Sequence, residues 1–127
     1  MNAPAALSRR ERQIMDILYQ RGKSSASEVK EAMPNAPSYS AVRAMLRVLE
    51  EKGHIGHQAV GLRYVYVPTV PREKAKRSAM KHLLNTFFND SPEQIVAALL
   101  DVGSTRLTHE ELDRMAAMIE KAKKEGK

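Results

Sequence analysis

Cysteine is missing from all 127 residues, and so is tryptophan. Without a thiol there is no disulfide, no thiolate zinc site and no cysteine nucleophile. Long apolar runs are missing as well. Nothing approaches the roughly 20 consecutive apolar residues that a membrane span needs, so no membrane partner is expected. The start Met1-Asn2-Ala3-Pro4-Ala5-Ala6 has neither the charged beginning nor the apolar stretch of a signal peptide, and a cytoplasmic product is expected. The chain also lacks a glycine-rich phosphate loop, a nucleophile with an attendant base, and a carboxylate pair in a cleft, so no catalytic residue is assigned and an enzyme is not expected. His54 and His57 have the spacing of some metal pairs, but on a strand they point to opposite faces with no clustered carboxylate, while His82 and His109 are isolated. No metal and no cofactor is expected.

The apolar fraction of 43% is enough for a folded core, in one typical domain or two small units. A net charge of +6, with most of the excess before Val67, favours an anionic partner without naming it.

The stretch Ser38 to Gly53 organises the rest. Val42, Met45, Leu46 and Leu49 recur at helical steps and form a stripe to be buried. Ser40, Arg43, Ala44 and Arg47 fall on another face, two guanidinium groups among small side chains, which suits a DNA groove. Ser38 or Ser40 can cap this helix, and Gly53 can end it in the left-handed conformation.

Before it, Ser8-Arg9-Arg10-Glu11 is a capping box opening a helix with Ile14, Met15, Ile17 and Leu18 inward, stopped at Arg21-Gly22-Lys23. Ser25-Ala26-Ser27-Glu28 is a second box, opening a short helix with Val29, Ala32 and Met33 inward until Pro34. After it, Ile55 to Ala59 and Leu62 to Val67 read as strands joined by a tight turn at Val60-Gly61, with Arg63 just past the turn and Pro68 ending the ladder. Tyr64 and Tyr66 share a face expected to pack on the helices. The spacing thus predicts a winged helix-turn-helix over residues 1–68.

Residues 69–127 read as a helical dimerisation region. Pro71 suits a first helical position, followed by Ala75, Ala79, Met80, Leu83, Leu84, Phe87 and Phe88 as an apolar stripe. Ser91-Pro92-Glu93-Gln94 opens a helix carrying Ile95, Val96, Leu99, Leu100 and Val102, ended by Gly103. Thr108-His109-Glu110-Glu111 opens the last, with Leu112, Met115, Ile119 and Ala122 on its apolar side, before a charged tail reaching Lys127. Three such helices make a poor core alone and are expected to pack against a second copy, with an ordinary intramolecular core as the competing reading. The fold class is therefore mainly α with a small β-hairpin.

The runs Leu7 to Leu18, Ser25 to Val29, Tyr39 to Gly53, and above all Gly61-Leu62-Arg63-Tyr64-Val65-Tyr66-Val67-Pro68, together resemble the penicillinase repressor family of winged-helix regulators, the BlaI/MecI type. Leu83-Leu84 to Phe88 and Ile95 to Leu100 resemble its dimerisation region. The resemblance implies a homodimer held by interlocking C-terminal helices, binding a palindromic double-stranded DNA operator and released by a signal, in some relatives a signal protease. In cleaved relatives an Asn-Phe bond stands where this chain has Ala98-Leu99, and copper-responsive relatives use C-terminal cysteines that this chain lacks.

The expected DNA-binding residues are Ser8, Arg9 and Arg10 at the first helix start, Tyr39, Ser40, Ala41, Arg43, Ala44 and Arg47 on the third helix, and Gly61 and Arg63 on the wing. Ser8 is in any case a cap, and Tyr39 stacks on the backbone of DNA or packs beneath the linker. The dimerisation residues are Leu83, Leu84, Phe87, Phe88, Ile95, Leu99, Leu112, Met115 and Ile119. A winged-helix adaptor that binds proteins without reading DNA is the competing interpretation; steep salt dependence of duplex binding separates the two.

Overall fold

A computed structural model describes residues 7–101 and 107–126. The segment Met1 to Ala6, the helix end expected at Val102-Gly103, and Lys127 lie outside the described residues.

Helix α1 (Arg9–Arg21) begins at the expected capping box. The Ser8 hydroxyl accepts from the Glu11 N–H at 3.1 Å, and the Ser8 N–H donates to Glu11 Oε1 at 2.9 Å. Gly22, at φ 88°, ends it in a region that a side chain would strain. A two-residue strand, β1 (Ser24–Ser25), follows, and then α2 (Ala26–Ala32) with Ser25 and Glu28 as its box. Helix α3 (Tyr39–Glu51) is capped by Ser38, whose hydroxyl accepts from the Ala41 N–H at 3.1 Å, so the cap is Ser38 and not Ser40.

Strands β2 (Ile55–Val60) and β3 (Arg63–Pro68) form the wing. Val60 pairs with Arg63, which places the two-residue turn at Gly61-Leu62, one residue later than the sequence pattern indicates. The physical reason is Gly61, whose φ of 64° supplies the left-handed first loop position of a tight hairpin. The sheet order is β1-β3-β2, with Ser24 opposite Tyr66 and Ser25 opposite Val65. Strand β1 carries no hydrophobic alternation and is too short to show a period of two, so nothing in the sequence announced it. His54 precedes β2 rather than lying on it, so it and His57 do not share a strand. The base of the hairpin is closed by Thr69, whose N–H donates to the His54 carbonyl at 3.0 Å and whose hydroxyl donates to that of Gly53 at 2.8 Å.

The core is the meeting of α1, α2 and α3 over the sheet. Ile14, Leu18, Val29, Val42, Leu46, Leu49 and Ile55 are completely or almost completely enclosed, with Met15, Ile17, Ala26, Met33 and Tyr66 around them. Met45 packs at the edge. Each fully buried aliphatic side chain contributes about 1.5 to 3 kcal/mol relative to exposure. One charge lies among them. Glu11 is only 5% exposed and receives Lys52 Nζ at 2.9 Å, joining the start of α1 to the end of α3. The bond from Lys52, and next the Ser8 N–H, hold its carboxyl below the usual range.

The chain divides into two compact units, the first ending at Ser78 and the second beginning at Ala79. Helix α4 (Arg72–Phe87) runs through that point. Pro71 lies just before the helix, where its carbonyl accepts the Ala75 N–H at 3.0 Å. Helix α5 (Pro92–Asp101) starts after Asn89 and Asp90, both at positive φ, with the Ser91 hydroxyl accepting from the Gln94 N–H. Helix α6 (His109–Lys124) opens on the Thr108–Glu111 box. None of the described residues of these three helices is buried.

Candidate nucleic-acid interface

Because Val42, Leu46 and Leu49 face the core, the opposite side of α3 is turned outward. Tyr39, Ser40, Arg43, Ala44 and Arg47 are all exposed there, and Ala41 is half-buried. The Arg43 guanidinium lies 5.9 Å from the centre of the Tyr39 ring, a spacing at which the cation and the ring face attract. Tyr39 therefore neither packs beneath the linker nor stands alone; it flanks Arg43.

The hairpin completes the site. A cleft of about 390 Å³ is lined by Ser25, Ala26 and Ser27 from the start of α2, Tyr39 and Arg43 from α3, and Leu62, Arg63, Tyr64 and Tyr66 from the wing. It follows from the β1–β3 pairing, which draws the start of α2 against the hairpin. Arg63 sits at the first rung of β3, exposed, and adds with Arg21 to the bonds from Ser25 that keep the Glu28 carboxyl below its usual range. A second, smaller notch of about 190 Å³ holds Arg43, Arg47, Glu50, His57, Tyr64 and Tyr66. Arg43 thus borders both hollows. Three permanent cations, Arg43, Arg47 and Arg63, line a continuous outer surface formed by α3 and the wing, the arrangement that meets a polyanion.

The two strand tyrosines divide. Tyr66 is 7% exposed and belongs to the core, where burial raises its phenol. Tyr64, on the same face but two residues nearer the tip, is 49% exposed and borders the cleft. Packing on the helices therefore holds for Tyr66 and fails for Tyr64, because the helices reach only the root of the hairpin.

The first-helix residues do not line this cleft. Arg9 and Arg10 border a different hollow with Gln13, Pro34 and Asn35. The Arg10 guanidinium donates to the carbonyls of Pro34 at 3.0 Å and Asn35 at 2.7 Å, so it fixes the α2–α3 linker. That linker turns at Asn35, φ 49°. Ser8 is committed to the cap, and Arg9 is exposed. Sequence reasoning passed over Glu50, Leu62, Ser27 and the role of His57. Leu62 is fully exposed at the hairpin tip, a place indicated only once the turn is set at Gly61-Leu62.

In the second unit, Leu84, Phe88, Ile95 and Met115 are half-buried, while Leu83, Phe87, Leu99, Leu112 and Ile119 are exposed, Phe87 by 69%. Ala98-Leu99 lies inside α5, with Leu99 exposed. Among the described residues no group of three histidine or acidic side chains is placed to hold a metal, and no helix is long and apolar enough to cross a membrane.

The model of the penicillinase repressor family matches residues 7–121 of this chain. Among solved structures, the DNA-binding domain of the repressor BlaI is 23% identical, the match covering 56% of this chain and 89% of that one with a TM-score of 0.49. A possible transcriptional regulator for arsenical resistance is 25% identical over 70% of this chain and 85% of its own, at 0.44. A mutant of Lactococcus lactis ZitR, 18% identical, shares the fold over 100% of this chain and 80% of its own, at 0.50. None of the curated proteins matches the chain in sequence.

Proposed function

The chain belongs to the penicillinase repressor family of DNA-binding transcriptional regulators, and from that premise we propose that it acts in the cytoplasm as a homodimeric repressor on a palindromic operator. Helix α3 enters the major groove with Arg43 and Arg47 toward the bases, and Arg63 on the wing meets the phosphate backbone. The observation that carries this reading is the outward face of α3, whose two guanidinium groups continue into the Arg63 cleft. The core stripe turns the Arg43 and Arg47 side of α3 outward, which supports this reading.

The dimer is supported by the second unit. Among the described residues, α4, α5 and α6 leave Phe87, Leu99, Leu100 and Ile119 exposed and bury no side chain in a single chain, and a second copy would take that apolar surface out of water. A closed twofold pair then aligns two reading heads with a twofold site. Release follows a signal, and the departure at Ala98-Leu99, where cleaved relatives have Asn-Phe, speaks against cutting at that bond as the route.

Selection of bound duplexes from a random pool tests the reading directly. A twofold-symmetric consensus, with affinity falling steeply as salt rises, is expected. Binding without sequence preference, or sedimentation as a monomer at micromolar concentration, would refute the repressor mechanism and the dimer respectively.

A further inference from the structure

Glu50 lies in the last turn of α3, and His57 is the third residue of β2. The chain reverses between them, and His57 Nδ1 comes to 2.8 Å from Glu50 Oε1 and 2.7 Å from Oε2. The ring also lies against the β3 tyrosines, with centroids 4.5 Å from Tyr64 and 6.0 Å from Tyr66. The pair is therefore a direct tie between the helix and the root of the hairpin. Both side chains remain about a third exposed, so solvent reaches them.

We propose that Glu50 and His57 form a proton-sensitive latch between α3 and the wing that strengthens duplex binding as the pH falls through the histidine range. The proposal rests on the DNA-binding reading above. Glu50 follows Arg43 and Arg47 in the notch and is the one anion there. The groups facing His57 are Glu50, Arg43 and Arg47 from α3, and the phenols of Tyr64 and Tyr66 from β3. Guanidinium groups stay charged, phenols ordinarily ionise only near about pH 10, and carboxylates are ordinarily ionised above about pH 5. Imidazole is the member of this set that changes charge between about pH 5 and 8. When it is protonated, the carboxylate beside the duplex is neutralised and bridged to the wing. When it is neutral, the pair carries a net negative charge, and the bond persists only if the proton stays on Nδ1.

The test uses the full-length protein, its His57→Gln and Glu50→Gln variants, and a labelled mixed-sequence duplex. In about 0.1 M salt, gaining one neutralised phosphate contact strengthens binding on the order of tenfold. Wild type should therefore bind on the order of tenfold more tightly at about pH 6 than at about pH 8 in excess of the response of His57→Gln, and Glu50→Gln should exceed wild type at about pH 8 by a similar factor. Independently of DNA, imidazole ¹⁵N shifts should show neutral His57 as the Nδ1–H tautomer in wild type. An Nε2–H tautomer in wild type, or a His57→Gln variant retaining the whole wild-type pH response, would overturn the latch. Failure of all three proteins to bind duplex at either pH would instead refute the DNA-binding reading, whatever the tautomer.

Discussion

Replacing Glu11 by Gln keeps the shape of the side chain and removes one enclosed charge. The amide oxygen can still accept from the Ser8 N–H, so the cap survives, while the attraction to Lys52 Nζ at 2.9 Å is lost. A hydrogen bond to a charged group is worth about 1.5 to 3 kcal/mol, but Lys52 keeps 28% of its side chain in water and recovers part of that by hydration, leaving a cost of about 1 to 2 kcal/mol. With an m-value of about 1.5 kcal/mol/M, the urea midpoint of the winged-helix unit should fall by about 1 M at pH 7, followed by far-UV circular dichroism. The pH dependence gives a second arm. Because the folded carboxyl lies below its unfolded value, its contribution is complete above about pH 4.3 and is lost as the pH falls through the folded value. The gap between wild type and variant should narrow progressively as the pH falls below about 4.3. An unchanged midpoint at pH 7, or a gap that stays constant into acid, would refute the assignment of stability to this ion pair.

Three further outcomes are expected. Arg43→Ala should weaken specific operator binding by about 1 to 3 kcal/mol and relax the preference at one base position, whereas equal weakening on all sequences would move Arg43 to the phosphates. Ser24→Ala should be neutral or stabilising by up to about 1 kcal/mol, since the Ser24 hydroxyl is buried with no hydrogen-bond partner; a loss of stability in denaturant would expose a bond that it makes. Inserting about 5 bp between operator half-sites should abolish most specific affinity by turning one half-site to the far side of the duplex, and a flat response across a spacer series would show two independent heads.

The helices of the first unit were legible because capping boxes and apolar stripes act locally: Ser8 with Glu11, Ser25 with Glu28, and the Val42-Leu46-Leu49 row each announce themselves within a few residues. The exposed face carrying Arg43 and Arg47 follows from that row by elimination. What was illegible depends on partners distant in the chain. Ser24-Ser25 becomes a strand only because Tyr66 and Val65 arrive beside it, and Arg10 turns to the linker only because Pro34 and Asn35 offer carbonyls. The turn was displaced by one residue because Val60 is as good a strand residue as a loop neighbour, and the register is decided by where glycine can take a positive φ.

The short β1 strand also sets how the wing can move. At Val65 and Tyr66 the central strand is bonded on both sides, by Ser25 and Ser24 on one edge and Gln58 and His57 on the other. Beyond them only the Ala59–Tyr64 and Val60–Arg63 rungs remain before the Gly61-Leu62 loop, and a two-stranded ribbon in water is marginal by itself. The hairpin is thus a cantilever, clamped at its root and compliant over its last two rungs. Amide hydrogen exchange should rise abruptly past Val65, and Arg63 should ride on the compliant end, able to follow a phosphate whose position varies with the local width of the groove while the root keeps its angle to α3.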